Sequence, residues 1–167
     1  MSAKEKKINN LKKLGFLGVR SVKHLIESDC ENIPNVMGVY VVFYKIEQIN
    51  FLNGSVGGHF KGKNPTVSIN KLFENWVSNT PILYIGKAGG FKSNATLKKR
   101  IRQYIQFGNG HPVGHWGGRL IWQIKENREL LIAYKSLSDI DPREYEKTLI
   151  TKFFDSYGKL PFANLTR

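Results

Sequence analysis

The chain has 167 residues, 41% of them apolar, which is enough for one domain that closes its own core without disulfide or metal staples. Twenty-six basic residues face thirteen acidic ones, a formal charge of +13, and an imbalance of that size speaks to an anionic partner rather than to a fold. A single cysteine, Cys30, excludes an internal disulfide and argues against a thiolate zinc site. No apolar run approaches the ~20 residues of a membrane span. The N-terminus, MSAKEKKINN, lacks the apolar core of a secretory signal. The expectation is an intracellular protein, in the cytoplasm or with the nucleoid, without a membrane partner.

In chain order, residues 8–27 read as a basic amphipathic helix or two short ones, with a break at Gly15 and Gly18. Residues 28–37 form a loop. Gly38 to Tyr44 (GVYVVFY) is β-branched and aromatic throughout, the pattern of a strand buried on both faces. Tyr40, Val42 and Tyr44 share one face; Val39, Val41 and Phe43 share the other. Residues 45–80 are irregular and rich in Gly, Asn and Lys, with a helical turn or two at KLFENWV. A stretch of this kind is uncommon without a function.

Ile82 to Ile85 is a second strand, closed by Gly86 and the Gly89-Gly90 pair. Residues 95–107 repeat Leu97, Ile101, Tyr104 and Ile105 at helical spacing. A His- and Gly-rich loop follows at 111–118, and Arg119 to Lys125 is a short helix or strand. Leu130 to Leu137 is a third strand. Asp141, Pro142 and Glu144 spell a capped helix start, with a capping box between Asp141 and Glu144, and Gly158 stops the helix after Tyr157. The expected fold is α/β: a small three-stranded, mainly antiparallel sheet flanked by helices, with an N-terminal basic helical arm (1–34) and a domain over 35–167 that carries an inserted loop at about 45–80.

Between Asn75 and Lys125 there is no Asp or Glu, while Lys87, Lys92, Lys98, Lys99, Arg100, Arg102, Arg119 and Lys125 fall there. Such a window either is a solvated basic face or collects phosphates and releases their counterions. Nucleic acid is the usual partner of a small basic domain, an anionic membrane surface its competitor. Two helices also carry a charge where an apolar residue belongs. Glu146 stands at helical spacing from Leu149, Ile150 and Phe153, and Arg100 is flanked by Leu97, Ile101, Tyr104 and Phe107. A carboxylate at such a place either reaches water at the edge of the stripe or needs a metal or an arginine. An arginine there either lays its stem along the apolar surface or points its head at an anion.

These positions together resemble the GIY-YIG nuclease superfamily. Gly38-Val39-Tyr40 stands where the first signature tripeptide would, and Tyr84-Ile85-Gly86 is the second, complete. The following GKA and LKKRIRQYI are similar to the nuclease domain of the bacterial excision-repair incision subunit. EKTLITKF is similar to the family's glutamate helix, and PFAN to its asparagine segment. GIY-YIG homing and restriction endonucleases share the pattern. The long segment 41–83 between the tripeptides departs from the usual close spacing, and Tyr104 stands where some members have histidine. The resemblance implies a metal-dependent endonuclease that hydrolyses double-stranded DNA with one Mg²⁺ or Mn²⁺ per site, as a monomer or homodimer.

By that resemblance the catalytic residues are Tyr40, Tyr84, Lys87, Arg100, Tyr104, Glu146 and Asn164, with His115 preferred to His111 as an added histidine. Glu146 is the metal ligand. Tyr40 deprotonates or orients the attacking water, Arg100 clamps the phosphate, and Tyr84 and Tyr104 bond the phosphate or water network. Gly38 and Gly86 allow close backbone approach, and Lys98, Lys99, Arg102 and Arg119 contact DNA. A nucleic-acid-binding module that keeps the fold without cleaving is the alternative. GGHFKGKN at 57–64 comes near a Walker A loop, but Asn64 replaces the Ser/Thr that would hold Mg²⁺ and Pro65 interrupts the helix start.

Overall fold

The computed structural model describes residues 1–166. Its sheet has four antiparallel strands where three are expected from sequence. In chain order they are β1 (Leu17–Ser21), β2 (Gly38–Phe43), β3 (Ile82–Ala88) and β4 (Leu131–Ser136), arranged β1-β4-β2-β3 across the sheet. The helices are α1 (Ala3–Lys13), α2 (Val22–Glu27), α3 (Ile69–Asn75), α4 (Leu97–Gly108) and α5 (Pro142–Tyr157). Residues 119–125, expected as a short helix or strand, belong mostly to a 3₁₀ segment, Trp116–Gln123.

The additional strand comes from the segment expected to be a helical arm. The first helix ends before Gly15 and the chain turns into β1, which pairs with β4 at the sheet edge. Gly18 explains how. Its φ of +64° is a left-handed conformation, and a Cβ there would sit 2.1 Å from the Tyr134 ring, so the strand bulges where only glycine fits. Residues 1–34 are therefore joined to the sheet: Ile8, Leu11 and Phe16 are buried on one side of it, and Val22, Leu25, Cys30 and Ile33 on the other.

Strand β2 is buried along its whole length, and its alternation divides the core as the sequence pattern predicts. Tyr40, Val42 and Tyr44 join Leu97, Ile101, Tyr104 and Trp122 under α4. Val39, Val41 and Phe43 join Ile8, Leu11 and Ile150 under α1 and α5. The segment 45–80 is irregular apart from α3 and one 3₁₀ turn at Phe60–Gly62, and no helix starts at Lys63 as a Walker A loop requires. Gln123 anchors this segment from below. Its buried amide donates to the carbonyls of Leu52 (3.0 Å) and Val67 (2.8 Å) and accepts the Val67 N–H (3.0 Å), so an otherwise costly buried amide is satisfied.

Asp141 caps α5 by accepting the Arg143 N–H at 2.9 Å, with Pro142 in the first turn and Gly158 in αL at the end. The expected reciprocal bond from Glu144 is absent among the described residues. The second carboxylate oxygen of Asp141 instead holds the Phe91 N–H at 3.0 Å, tying the β3–α4 turn to this helix. Among the described residues no helix is long and apolar enough to cross a membrane.

Cys30 is 1% exposed, and burial pushes its thiol up to about 11. Roughly one thiol in 10³ would then be ionised at pH 8, too few for rapid attack on a disulfide reagent. Labelling of the folded protein at pH 8 is expected to be slow and to become complete in urea. Immediate full labelling of the native protein would mean that the loop after α2 is open.

Candidate active site

The candidate site is built where β2 and the edge strand β3 meet α4. Antiparallel pairing sets Tyr40 opposite Gly86 and Val42 opposite Tyr84, so both tyrosines stand on the α4 face. Tyr104, on the buried stripe of α4, completes a triangle of rings: centroids are 6.0 Å apart for Tyr40–Tyr84, 6.3 Å for Tyr40–Tyr104 and 5.7 Å for Tyr84–Tyr104. Gly86 leaves room for this. A Cβ there would lie 2.5 Å from Cζ of Tyr40 and 2.7 Å from its hydroxyl. Gly38, expected to allow close backbone approach, lies against the backbone of β4: a Cβ there would run into the Lys135 carbonyl oxygen and the Leu97 side chain.

His115 closes the triangle from the loop after α4. Its Nε2 lies 2.7 Å from the Tyr40 hydroxyl and its ring stacks on Tyr104 at 4.1 Å. Tyr40, Tyr104 and His115 are 0% exposed. Burial pushes Tyr40 and Tyr104 well above the ordinary phenol range and Tyr84 to about 12. Burial, with Arg100 nearby, holds His115 well below the usual imidazole range. The imidazole is therefore neutral, and its Nε2 shares a hydrogen bond with the Tyr40 hydroxyl. Its buried Nδ1 has no partner among the described residues.

Sequence reasoning missed the groups that hold this loop down. Gly114 O accepts from Arg100 at 3.0 Å, Gly118 O accepts from the Tyr104 hydroxyl at 3.2 Å, and Gln103 Oε1 accepts from Arg100 at 2.8 Å. Gly118 packs so closely that a Cβ would lie 3.1 Å from the Tyr104 ring and 3.2 Å from Tyr84. The Gly117-Gly118 pair was the available signal: adjacent glycines after a histidine in a basic segment mark a close backbone approach.

Glu146 stands half-buried on α5. Burial raises its carboxyl above the usual range, against the pull of Lys87, Arg100 and Arg143. These are the cations that bear on it, and the same Arg100 and Glu146 also act on Tyr40 and Tyr84. Glu146 makes no ion pair or side-chain hydrogen bond among the described residues, so its oxygens are free to ligate.

Asn164 works on the strand rather than in the triangle. Its amide accepts the Ile85 N–H at 2.9 Å and donates to the Ile85 carbonyl at 2.8 Å. With the Ala163 N–H on the Leu83 carbonyl (2.8 Å), the terminal segment acts as a short cover for the β3 edge. Tyr84 and Gly86 flank the residue it grips.

The other residues expected at the site divide. Arg102 pairs with Asp29 at 3.0 Å and Lys98 donates to the Glu31 carbonyl at 3.3 Å, so both heads turn to the loop after α2. Lys99 is exposed on α4, and His111 is exposed in the loop. Arg119 stacks its guanidinium on Trp116, 4.6 Å from the ring centroid.

No group of three or more His, Cys, Asp or Glu side chains is placed to hold a metal among the described residues. A lone carboxylate suits a hard ion that keeps most of its waters and takes further oxygens from a phosphate, as Mg²⁺ does. No family model, curated protein or solved structure matches the chain.

Proposed function

We propose that this protein is a divalent-metal-dependent endonuclease acting on double-stranded DNA. The observation that carries the reading is convergence. Residues distant in sequence, Tyr40, Tyr84, Arg100, Tyr104, His115 and Glu146, gather around one buried phenol with cations and a carboxylate beside it, and most hold positions that match GIY-YIG motifs. The excess of positive charge supports a polyanionic substrate.

The chemistry follows from the placement. Arg100, aimed by Gln103 and Gly114 O, pairs with the scissile phosphate. Lys87 adds a second cation. A water attacks phosphorus, forming the new O–P bond as the bond to the leaving oxygen breaks. Tyr40 is too weakly acidic to wait as a phenolate. It takes the proton of the water on its oxygen while its own proton passes to Nε2 of His115, and the leaving oxygen is protonated by solvent. A Mg²⁺ or Mn²⁺ held by Glu146 would supply Lewis-acid relief of charge on the phosphate and the leaving oxygen.

The test is nicking of supercoiled plasmid with Mg²⁺ or Mn²⁺ against EDTA. Tyr40→Phe is expected to slow nicking by about 10²–10⁴-fold while DNA binding survives. The same change leaves Nε2 of His115 buried without its hydrogen-bond partner, at a cost of about 1–3 kcal/mol, so melting is followed in parallel. Cutting in EDTA, or full-rate cutting by folded Tyr40→Phe, would overturn the mechanism. Binding without any nicking by the unaltered protein would identify a binding module.

A further inference from the structure

The proposed chemistry leaves unused a cleft that Asn164 helps to line. It measures about 440 Å³ and lies between α3 and the segment 159–165. Its lining takes Lys71 and Asn75 from α3, Lys159 and Asn164 from the segment 159–165, and Arg119 from the 3₁₀ segment. Its floor is apolar, with Phe162 and Leu165. The lining holds three cations, Lys71, Lys159 and Arg119, against one carboxylate, Glu74.

The cleft is built on fixed parts. Phe162 is buried and stacks on Phe51 of the insertion at 5.7 Å. Lys159 donates to the Glu74 and Trp76 carbonyls (3.0 and 3.3 Å), bolting the terminal segment to the end of α3. Arg119 is half-buried with its plane set by Trp116, and its bond to the Trp116 carbonyl is long, at 3.3 Å. A planar guanidinium held this way is ready for an oxyanion. The one neutralising pair, Lys71–Glu74 at 3.7 Å, lies between exposed side chains, and such pairs are weak enough to be exchanged for a phosphate. Asn164 lines the cleft and also grips the Ile85 backbone, so the cleft borders the strand that carries Tyr84 and Gly86.

We infer that this cleft holds the sugar–phosphate backbone of the bound DNA strand outside the scissile phosphate, with Arg119 and Lys71 on its oxygens and the deoxyribose over Phe162. The inference rests on the endonuclease reading. It also accounts for the 45–80 insertion, whose helix α3 turns an edge of the sheet into a groove. Charge favours a polyanionic occupant, because the lining sets three cations against one carboxylate in a chain whose formal charge is +13.

The experiment uses the full chain and a defined duplex in which single phosphates are replaced one at a time by uncharged methylphosphonates. For the unaltered protein, binding is expected to weaken at the scissile position and at one or two further phosphates on the same strand. In Arg119→Gln with Lys71→Gln, the sensitivity at the further phosphates is expected to vanish. The slope of log affinity against log salt should also fall by about 1–2, at roughly 0.9 for each phosphate no longer neutralised. Lys71→Gln alone, at an exposed side chain, covers the case in which loss of the Arg119–Trp116 stack unfolds the double variant; it should lower the slope by about 1.

An unaltered protein that neither binds nor cuts DNA would overturn the endonuclease reading and this inference with it. A protein that binds and cuts, but whose folded variants keep the same salt slope and the same phosphate sensitivity, would overturn the cleft alone.

Discussion

Glu146→Gln is expected to abolish metal-dependent nicking without weakening the fold. Loss of a ligand that positions the ion removes several kcal/mol of transition-state stabilisation, on the order of 10³-fold in rate. The effect on stability should have the opposite sign. Burial is the strongest influence on this carboxyl, and it raises the pKa in spite of three nearby cations, so the ionised side chain opposes folding at neutral pH. Glutamine keeps the shape without the charge. In EDTA its melting midpoint should equal or exceed that of the unaltered protein, a pattern typical of residues retained for function at a cost to stability. A glutamate kept for packing would behave differently: its replacement would lower the midpoint and leave nicking intact. Nicking by Glu146→Gln at the native rate would remove Glu146 from the site.

That residue also shows what the sequence could carry. A charge on the apolar stripe of a helix is legible from spacing alone, and the same is true of Arg100. The strand pattern of GVYVVFY sets the division of the core, because a period of two has only two faces. The first strand was not legible. LGVRS is short, half exposed and interrupted by Gly18, and its place is decided by β4, far along the chain. The true start of α1 was legible: Ser2 and Glu5 form a reciprocal capping box, yet the apolar repeat alone puts the helix start at residue 8. At the site, chain order could supply the candidates but not their contacts. Lys98 and Arg102 sit on the same helix as Arg100, yet a helix turns about 100° per residue, and their heads face Glu31 and Asp29. The bond between Tyr40 and His115 depends on a loop held by the Gly114 and Gly118 carbonyls; the adjacent glycines signal a close approach there but not which side chains they approach.

Gly86→Ala is the substitution expected to do most harm for its size. One methyl group would lie 2.5 Å from Cζ of Tyr40 and 2.7 Å from its hydroxyl. The ring has no way to retreat. It is 0% exposed, sits between Tyr84 and Tyr104, and is held at its tip by His115. Either the β2–β3 pairing opens or the phenol leaves its bond. Overpacking of this kind costs about 1–3 kcal/mol, which in a domain of this length lowers the melting midpoint by roughly 2–4 °C per kcal/mol. The functional loss should be larger, because displacement of a reacting group by an ångström costs on the order of 10²-fold, and it should be visible well below the melting transition. Gly54→Ala is the matched control. Its Cβ would meet only the Thr66 hydroxyl, at 3.9 Å, and stability and nicking should both stay at native values. If Gly86→Ala melts and cuts like the control, Tyr40 is not wedged at that position, and the geometry on which its role depends is wrong.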